Sequence, residues 1–372
     1  MPRVSVIVPV FNSLAHLGTF FESLAAALPV ESEVVVVDDA STDPVLEAVP
    51  ELPRARNVVR LRNNTNLGLA AAANRGFAAA TGDIVIQLNV DVILDSDSLS
   101  AMVDFIESRR GDVGIVGSKL VYPTSGLTQS VGMAFGLHSK RHVFRHLPQD
   151  HPLCRPSREL QIVTGATVAM TTRVLESLGP LDEDLYNHNP DIDHCLRAAG
   201  LGLRNFVCAR SVAYHWRGLS GTVRYARIQT AEAAFWSKWG GRYRVDLGDF
   251  LDEGLDHAIR AHPPFETMPF TVLDLSRAAD QAIALEHIAV RWPDAEVRHF
   301  RQMHNPMSRL WLPLLLPHWL VNEPAPFLYL VDDHQELSEN AMWFERRRRV
   351  VEEELVLDLA GSAVATSELR PT

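Results

Sequence analysis

The chain has little cysteine. Three residues, Cys154, Cys195 and Cys208, occur among 372, at spacings that form neither a zinc-ligand pattern nor an even disulfide framework, so a reducing compartment, the cytoplasm, is expected. An excess of positive charge is also missing. Against 46 acidic residues stand 35 basic ones, a formal net charge of −11, and the basic residues are mostly dispersed, which excludes a non-specific nucleic-acid surface. The longest apolar run, "LWLPLLLPHWLV" (Leu310–Val321), is too short and too broken by proline to span a bilayer, and reads as core or an interfacial patch. The first apolar stretch is cut by Pro9 and Asn12 and has no small-residue cleavage site, so it is not read as a signal peptide. Short repeats and low-complexity tracts are absent. The loop "VFNSLAHLG" has neither the glycines nor the lysine that would cradle a triphosphate.

What is present is ordinary globular material, 47% hydrophobic with 22 Pro and 21 Gly spread along it, in a length that predicts two units rather than one core. Strand and helix signals alternate from the start, the pattern of βαβ units and a mostly parallel sheet. "VSVIVPV" (Val4–Val10) reads as a buried strand, and Asn12 or Ser13 as the cap of a helix whose Leu14, Leu17, Phe21, Leu24 and Leu28 recur at helical spacing. "EVVVVDDASTD" (Glu33–Asp43) is a second strand ending in a carboxylate pair, "NLGLAAAANRGFAAATG" (Asn66–Gly82) a helix closed by Gly82, and "DIVIQLNVDVIL" (Asp83–Leu94) a strand broken at Asn89 and Asp91. Near Pro263 and Pro264 the composition shifts, and a second alternation follows: strand Phe270–Leu275, a helix to Val290, strands "AEVRHF" and "FLYLVDD" (Phe327–Asp333), a long helix, and "GSAVATS" (Gly361–Ser367).

Several strands thus finish in polar or acidic residues, and in open α/β sheets ligands bind beyond the carboxyl ends of strands. Asn89-Val90-Asp91 can share one cation, because residues i and i+2 of a strand project from the same side. Such a triplet can equally just begin a turn. Asn189 can cap a helix, Pro190 suits its first turn, and Asp191 then lies where the helix dipole favours an anion. An ordinary N-terminal helix charge has the same appearance. Asp193, turned away from Asp191, reads as a structural ligand of a neighbouring backbone or base.

The order of "VSVIVPVFN", "VVVVDDASTD", "NLGLAAAANRGFAAATGD" running into "IQLNVDV", "VTGA", "PDIDHCLR" and "YHWRGLSG" resembles the family 2 glycosyltransferases of the GT-A fold, over roughly Pro2 to Gly241. The resemblance implies a Rossmann-like, mixed but mostly parallel sheet flanked by helices over 1–245, with a nucleotide-binding half 1–92 and an acceptor half 93–245. A linker over 246–267 and a smaller α/β unit over 268–372 complete the expected organisation. It implies a nucleotide site at Pro9, Phe11, Asn12, Asp38, Asp39, Asn66, Gly68, Asn74 and Asn89, with Asp91 and His215 on a Mn²⁺ or Mg²⁺ ion and Asp191 as general base. The implied activity is inverting transfer of a sugar from a UDP-, dTDP- or GDP-linked donor to a carbohydrate or lipid-linked acceptor, in cell-surface polysaccharide or glycoconjugate synthesis. Three departures stand out. Asn89 replaces the first acid of D-x-D; Ala72-Ala73-Asn74-Arg75-Gly76 lacks the arginine of A-R-N-x-G, for which Arg75 or Arg224 could substitute; and Pro190 replaces the glutamate of the E-D pair.

Those losses keep open a non-catalytic nucleotide-binding module of a larger assembly, and a sugar nucleotidyltransferase is the other alternative. The C-terminal "FLYLVDD…AVATS" stretch resembles part of the N-terminal domain of GT-B glycosyltransferases, which reads either as a fragment of a longer, two-headed transferase or as a truncated domain kept for docking. Arg346–Arg349 with Trp343 and Phe344 can be read as a peripheral membrane or partner patch, and the flanking Glu345 and Glu352–Glu354 favour a solvated helix face.

Overall fold

The computed structural model describes residues 3–109, 111–216, 227–300, 316 and 318–369. The chain forms two compact units, one of Met1–Met133 with Cys154–Tyr243, the other of Ala134–Leu153 with Arg244–Thr372.

The first unit is built on one mixed sheet. Its strands are β1 (Val4–Val10), β2 (Ser32–Asp38), β3 (Ala55–Arg62), β4 (Ile84–Leu88), β5 (Val92–Leu94), β6 (Val113–Val121) and β7 (Thr128–Ser130). The short pair β8 (Met133–Phe135) and β9 (Lys140–His142) forms a separate two-stranded sheet, and β10 (Arg158–Leu160), β11 (Thr167–Thr171) and β12 (Arg204–His215) return to the first. The main path runs β10-β12-β6-β11-β4-β1-β2-β3. Its last four strands are all parallel, and β11 enters antiparallel to both β4 and β6.

Strands β1, β2 and β4 are buried along their whole length, which is why they read as unbroken valine and isoleucine runs rather than as alternation. Edge strand β3 mixes three arginines with Val58, Val59 and Leu61 and is partly exposed, so its sequence lacks the unbroken apolar run of its neighbours. Pro9 is tolerated because the β1–β4 ladder ends at Ile7, and Val10, whose carbonyl accepts from Asp39 N–H, faces β2. Alternation therefore turns Pro9 towards the side where no bond is lost.

Helices α1 (Leu14–Ala27), α2 (Leu69–Ala79), α3 (Ser98–Ser108), α4 (Thr172–Leu178), α5 (Pro190–Gly200) and α6 (Ile228–Trp239) accompany this sheet. Ser13 takes the N-cap position of α1 with no side-chain cap bond, and α2 ends at Ala80 rather than Gly82.

Residues 246–267, expected as a linker, form α7 (Leu247–Ala261) and the 3₁₀ turn Pro263–Glu266. The second unit continues with β13 (Thr271–Asp274), α8 (Gln281–Arg291), β14 (Glu296–His299), β15 (Phe327–Val331), α9 (Ala341–Arg347), β16 (Leu355–Asp358) and β17 (Ala363–Ala365). Its sheet order is β14-β13-β15-β16-β17, parallel except for the last pair. The long helix expected after β15 is instead a 3₁₀ turn, the seven-residue α9 and strand β16. Arg347 is buried against Glu354, and Trp343 and Phe344 are core residues. Of the basic run, Arg346, Arg348 and Arg349 are exposed and Arg347 is not, so it is not wholly a solvated face. Among the described residues no helix is long and apolar enough to cross a membrane.

Candidate active site

The carboxyl ends of β1, β2 and β4 carry most of the residues singled out in the sequence. Asp38 and Asp39 are both buried, and both carboxylates are engaged. Asp38 accepts from Ser41 N–H at 2.8 Å and pairs with Arg62. Asp39 accepts from Asn63 Nδ2 at 2.7 Å and from the amides of Leu67 and Gly68 at 3.0 and 2.8 Å, which fixes the loop leading into α2.

Gly68 has φ 93°, and a Cβ there would lie 2.3 Å from the Tyr186 ring, so the loop needs glycine twice over. The Tyr186 hydroxyl donates to Asn66 Oδ1, and Leu69 and Ala70 N–H bond Asn187 Oδ1 and the Tyr186 carbonyl. Amides at the start of α2 are thus occupied from within. Asn12, at φ 45°, leaves capping aside: its Oδ1 accepts from Thr42 N–H at 2.7 Å and its N–H donates to Ser41, joining the β1 and β2 ends. Phe11 lies half-buried beside it.

Two of the residues singled out are engaged within the protein. Asn74 is spent elsewhere, its amide donating to the Leu181 carbonyl and Glu183 while its oxygen accepts from Leu181 N–H. That clamp holds α2 to the segment before α5. Arg75, offered as a replacement arginine, donates to the Arg62 carbonyl and Asn63 Oδ1. Arg224 lies outside the described residues, as does the "RGLSG" end of the last sequence segment.

A different arrangement prevails past β4. Antiparallel pairing of β12 with β5 sets His215 opposite Val92, one residue from Asp91, and Trp216 N–H donates to the Asp91 carbonyl. His215 Nε2 lies 3.3 Å from Asp91 Oδ1, an oxygen that is buried and receives no hydrogen bond. Asn89 Oδ1 is buried and unpartnered as well. Buried polar atoms are nearly always satisfied, so an orphaned carboxylate oxygen 3.3 Å from an imidazole nitrogen, with a second orphaned oxygen two residues earlier in the chain, is a donor set that a cation would fit.

Gln129, unnoticed in the sequence, completes this corner. Its Oε1 lies 2.6 Å from His215 Nδ1 and its Nε2 donates to the His215 carbonyl at 3.1 Å. The carbonyl oxygen fixes which way the amide faces, which puts the ring proton on Nδ1 and turns a lone pair on Nε2 towards Asp91.

Asp191 reaches the same edge of the sheet through "VTGA". Asn89 N–H donates to the Ala166 carbonyl, and the preceding Gly165 N–H donates to Asp191 Oδ2 at 2.6 Å. A Cβ on Gly165 would stand 2.7 Å from that of Asp191, so only glycine permits this approach. Asp191 opens α5, with Pro190 in the first turn. Asn189 occupies the N-cap in left-handed conformation but makes no cap bond, and its amide donates to Glu232 on α6 instead. Asp193 is fully buried and takes bonds from Arg197, Lys238 and Trp239 at 2.7–2.9 Å.

The model of glycosyl transferase family 2 matches residues 5–176. O-antigen biosynthesis protein RfbC of Myxococcus xanthus is 30% identical over 280 residues, 70% of this chain and 21% of RfbC. Dolichol-phosphate mannosyltransferase of Pyrococcus furiosus is 32% identical over 120 residues, 32% of this chain and 34% of that protein. The chain thus spans about a fifth of the first relative and a third of the second. The solved mannosyltransferase PcManGT of Pyrobaculum calidifontis, in complex with GDP-Man and Mn²⁺, is 20% identical, covering 77% of this chain and 73% of its own, with a TM-score of 0.48. Through residues 5–176, the chain belongs to glycosyl transferase family 2.

Proposed function

We propose that the chain is an inverting, metal-dependent glycosyltransferase that moves a sugar from a nucleotide-diphosphate donor to an acceptor hydroxyl. The observation that carries this reading is Asp91 Oδ1, buried without a hydrogen bond 3.3 Å from His215 Nε2, with Asn89 Oδ1 two residues earlier also buried and unpartnered. Oxygen ligands with one imidazole fit Mn²⁺ better than Mg²⁺. When bound, the cation supplies charge stabilisation to the departing diphosphate. Asn89, Asp91 and His215 would hold it, and Gln129 keeps His215 in the tautomer that can. The nucleoside would lie against Pro9, Phe11 and the loops fixed by Asp38, Asp39, Asn12, Asn66 and Gly68. Asp191, steadied by Gly165 N–H, would take the proton from the acceptor hydroxyl as it attacks the anomeric carbon. One base and one displacement invert that centre.

RfbC and the dolichol-phosphate mannosyltransferase suggest surface polysaccharide or lipid-linked sugar transfer, and a lipid-linked acceptor would put the reaction at the inner face of a membrane. The test is thermal unfolding with UDP, dTDP and GDP, with and without Mn²⁺, on the wild type and Asp91→Ala, followed by assay of sugar release from the stabilising donor. One nucleotide should raise the melting temperature only with metal, and Asp91→Ala should abolish the shift. Stabilisation without any turnover would return the chain to the binding-module reading that Asn89 and Pro190 motivate. Absence of any shift would overturn the donor site.

A further inference from the structure

We propose that the second unit holds a structural divalent transition-metal ion of its own, bound by Asp333, His334 and Asp358, with His146 orienting Asp333. In this unit the chain runs β13, β14, β15, β16 while the sheet order is β14-β13-β15-β16, so direction reverses between β13 and β15. The loops at the carboxyl ends beside such a reversal are where doubly wound sheets place ligands. Asp333 and His334 follow β15, and Asp358 ends β16. The segment 134–153 brings a fourth group, because Phe144 N–H bonds the Ala360 carbonyl and Ser362 Oγ donates to the Arg145 carbonyl, setting His146 against the turn after β16.

One ligand atom each from Asp333, His334 and Asp358 lie within 4.8 Å of one another, and His146 Nδ1 stands 2.8 Å from Asp333 Oδ1. None of the four side chains is more than 20% exposed, and those of His334 and Asp358 are 5% and 1%. The surrounding bonds orient them as ligands are oriented. Asp358 Oδ1 accepts from the amides of Ala360 and Ser362, both at 2.9 Å, leaving Oδ2 aimed at His334 Nδ1, and the His334 ring also donates to the His146 carbonyl.

Charge points the same way. Asp332, Asp333, Glu336 and Asp358 face the guanidinium groups of Arg145, 3.6 Å from Asp333, and Arg277, 3.9 Å from Glu336. Glu336 Oε2 is buried without a hydrogen bond. Carboxylates outnumber guanidinium groups here, an excess that protons on the imidazoles or a dication would meet. An imidazole nitrogen with two carboxylate oxygens suits Zn²⁺ or Co²⁺ better than Mg²⁺ or Ca²⁺, and His146 bonded to Asp333 stands where a group that orients a ligand would.

The full chain, stripped with chelator and dialysed, is titrated with Co²⁺ and separately with Zn²⁺. One equivalent of Co²⁺ should develop a visible tetrahedral spectrum, and Zn²⁺ should raise the melting temperature, equally in the wild type and in Asp91→Ala. His334→Asn should weaken both by more than about 100-fold. Should that variant fold poorly, His146→Asn, at the rim of the cluster, must weaken both as well. A flat Co²⁺ titration with no Zn²⁺ stabilisation in the wild type, or signals that survive in both histidine variants, would overturn the proposal and leave the imidazoles protonated. Because Asp91→Ala removes only the donor-site carboxylate, failure here and failure of the donor site are read separately.

Discussion

At the scale of single residues, the proposed metal corner depends on a side chain that binds nothing itself. Gln129 holds the His215 proton on Nδ1, so Gln129→Leu frees the ring to flip or change tautomer, and Mn²⁺ affinity should fall about 10- to 100-fold. Metal dependence of nucleotide-induced stabilisation reads this directly, and an unchanged Mn²⁺ midpoint would show that His215 is no ligand. Gly165→Ala should act on Asp191 instead: its methyl would need the space 2.7 Å from Asp191 Cβ. A displacement of the carboxylate by about an ångström should lower kcat by about 100-fold while donor binding persists, as steady-state kinetics would tell. Asp91, His215 and Asp191 stand out in the sequence because each sits in an ordered segment. Gln129 does not, since it lies on the three-residue strand β7 and meets His215 across 86 residues. A polar residue within a recognised segment carries no sign of the contacts its amide makes, and that of Asn74 bonds another loop.

At the scale of elements, α5 is set by α6. The Asp193 carboxylate is fully buried and shared by Arg197 of its own helix and by Lys238 and Trp239 of α6, while Asn189 at the helix start reaches Glu232. Asp193→Ala leaves those donors facing a void and should cost about 3 kcal/mol in urea unfolding. Lys238→Met should cost less, because Arg197 and Trp239 still answer the carboxylate and Lys238 is already more than a third exposed. Equal losses would mean that the lysine, not the carboxylate, organises the contact. The buried parallel strands were legible from their apolar runs. Strand β16 was not, because "ELVLDL" follows a charged stretch with helical spacing, and only its pairing with β15 and β17 settles it as a strand. Similarly, Arg347 sits in a run of four arginines yet pairs with Glu354 inside the second unit, a partnership that nothing local in the sequence marks.

At the scale of the whole molecule, acid should destabilise the first unit, and one buried ring dominates the window. His194 on α5 is buried, with Nε2 2.9 Å from the Gly179 carbonyl, and burial pushes its imidazole down to about 4. Arg197 and Lys238 add to that shift. An unfolded chain protonates the same ring near its ordinary value of about 6.5, so between those limits the unfolded state holds more protons and stability falls as pH falls. The gap of roughly 2.5 pH units corresponds to a loss of about 3 kcal/mol, complete near pH 4. Glu33 and Asp182 titrate later. Burial alone would raise both, but bonds from Ser5 and Thr81 to Glu33, and from Lys238 to Asp182, outweigh it and hold both carboxyls low. Their stabilisation is present above the ordinary carboxylate range and is lost only as pH falls through their lowered values. The melting temperature of the first unit against pH should therefore decline first between 6.5 and 4, then again below. His194→Gln, which keeps a donor for the Gly179 carbonyl but cannot take up a proton, should flatten the first decline and leave the second. An unchanged first decline in His194→Gln would assign the acid sensitivity to another group.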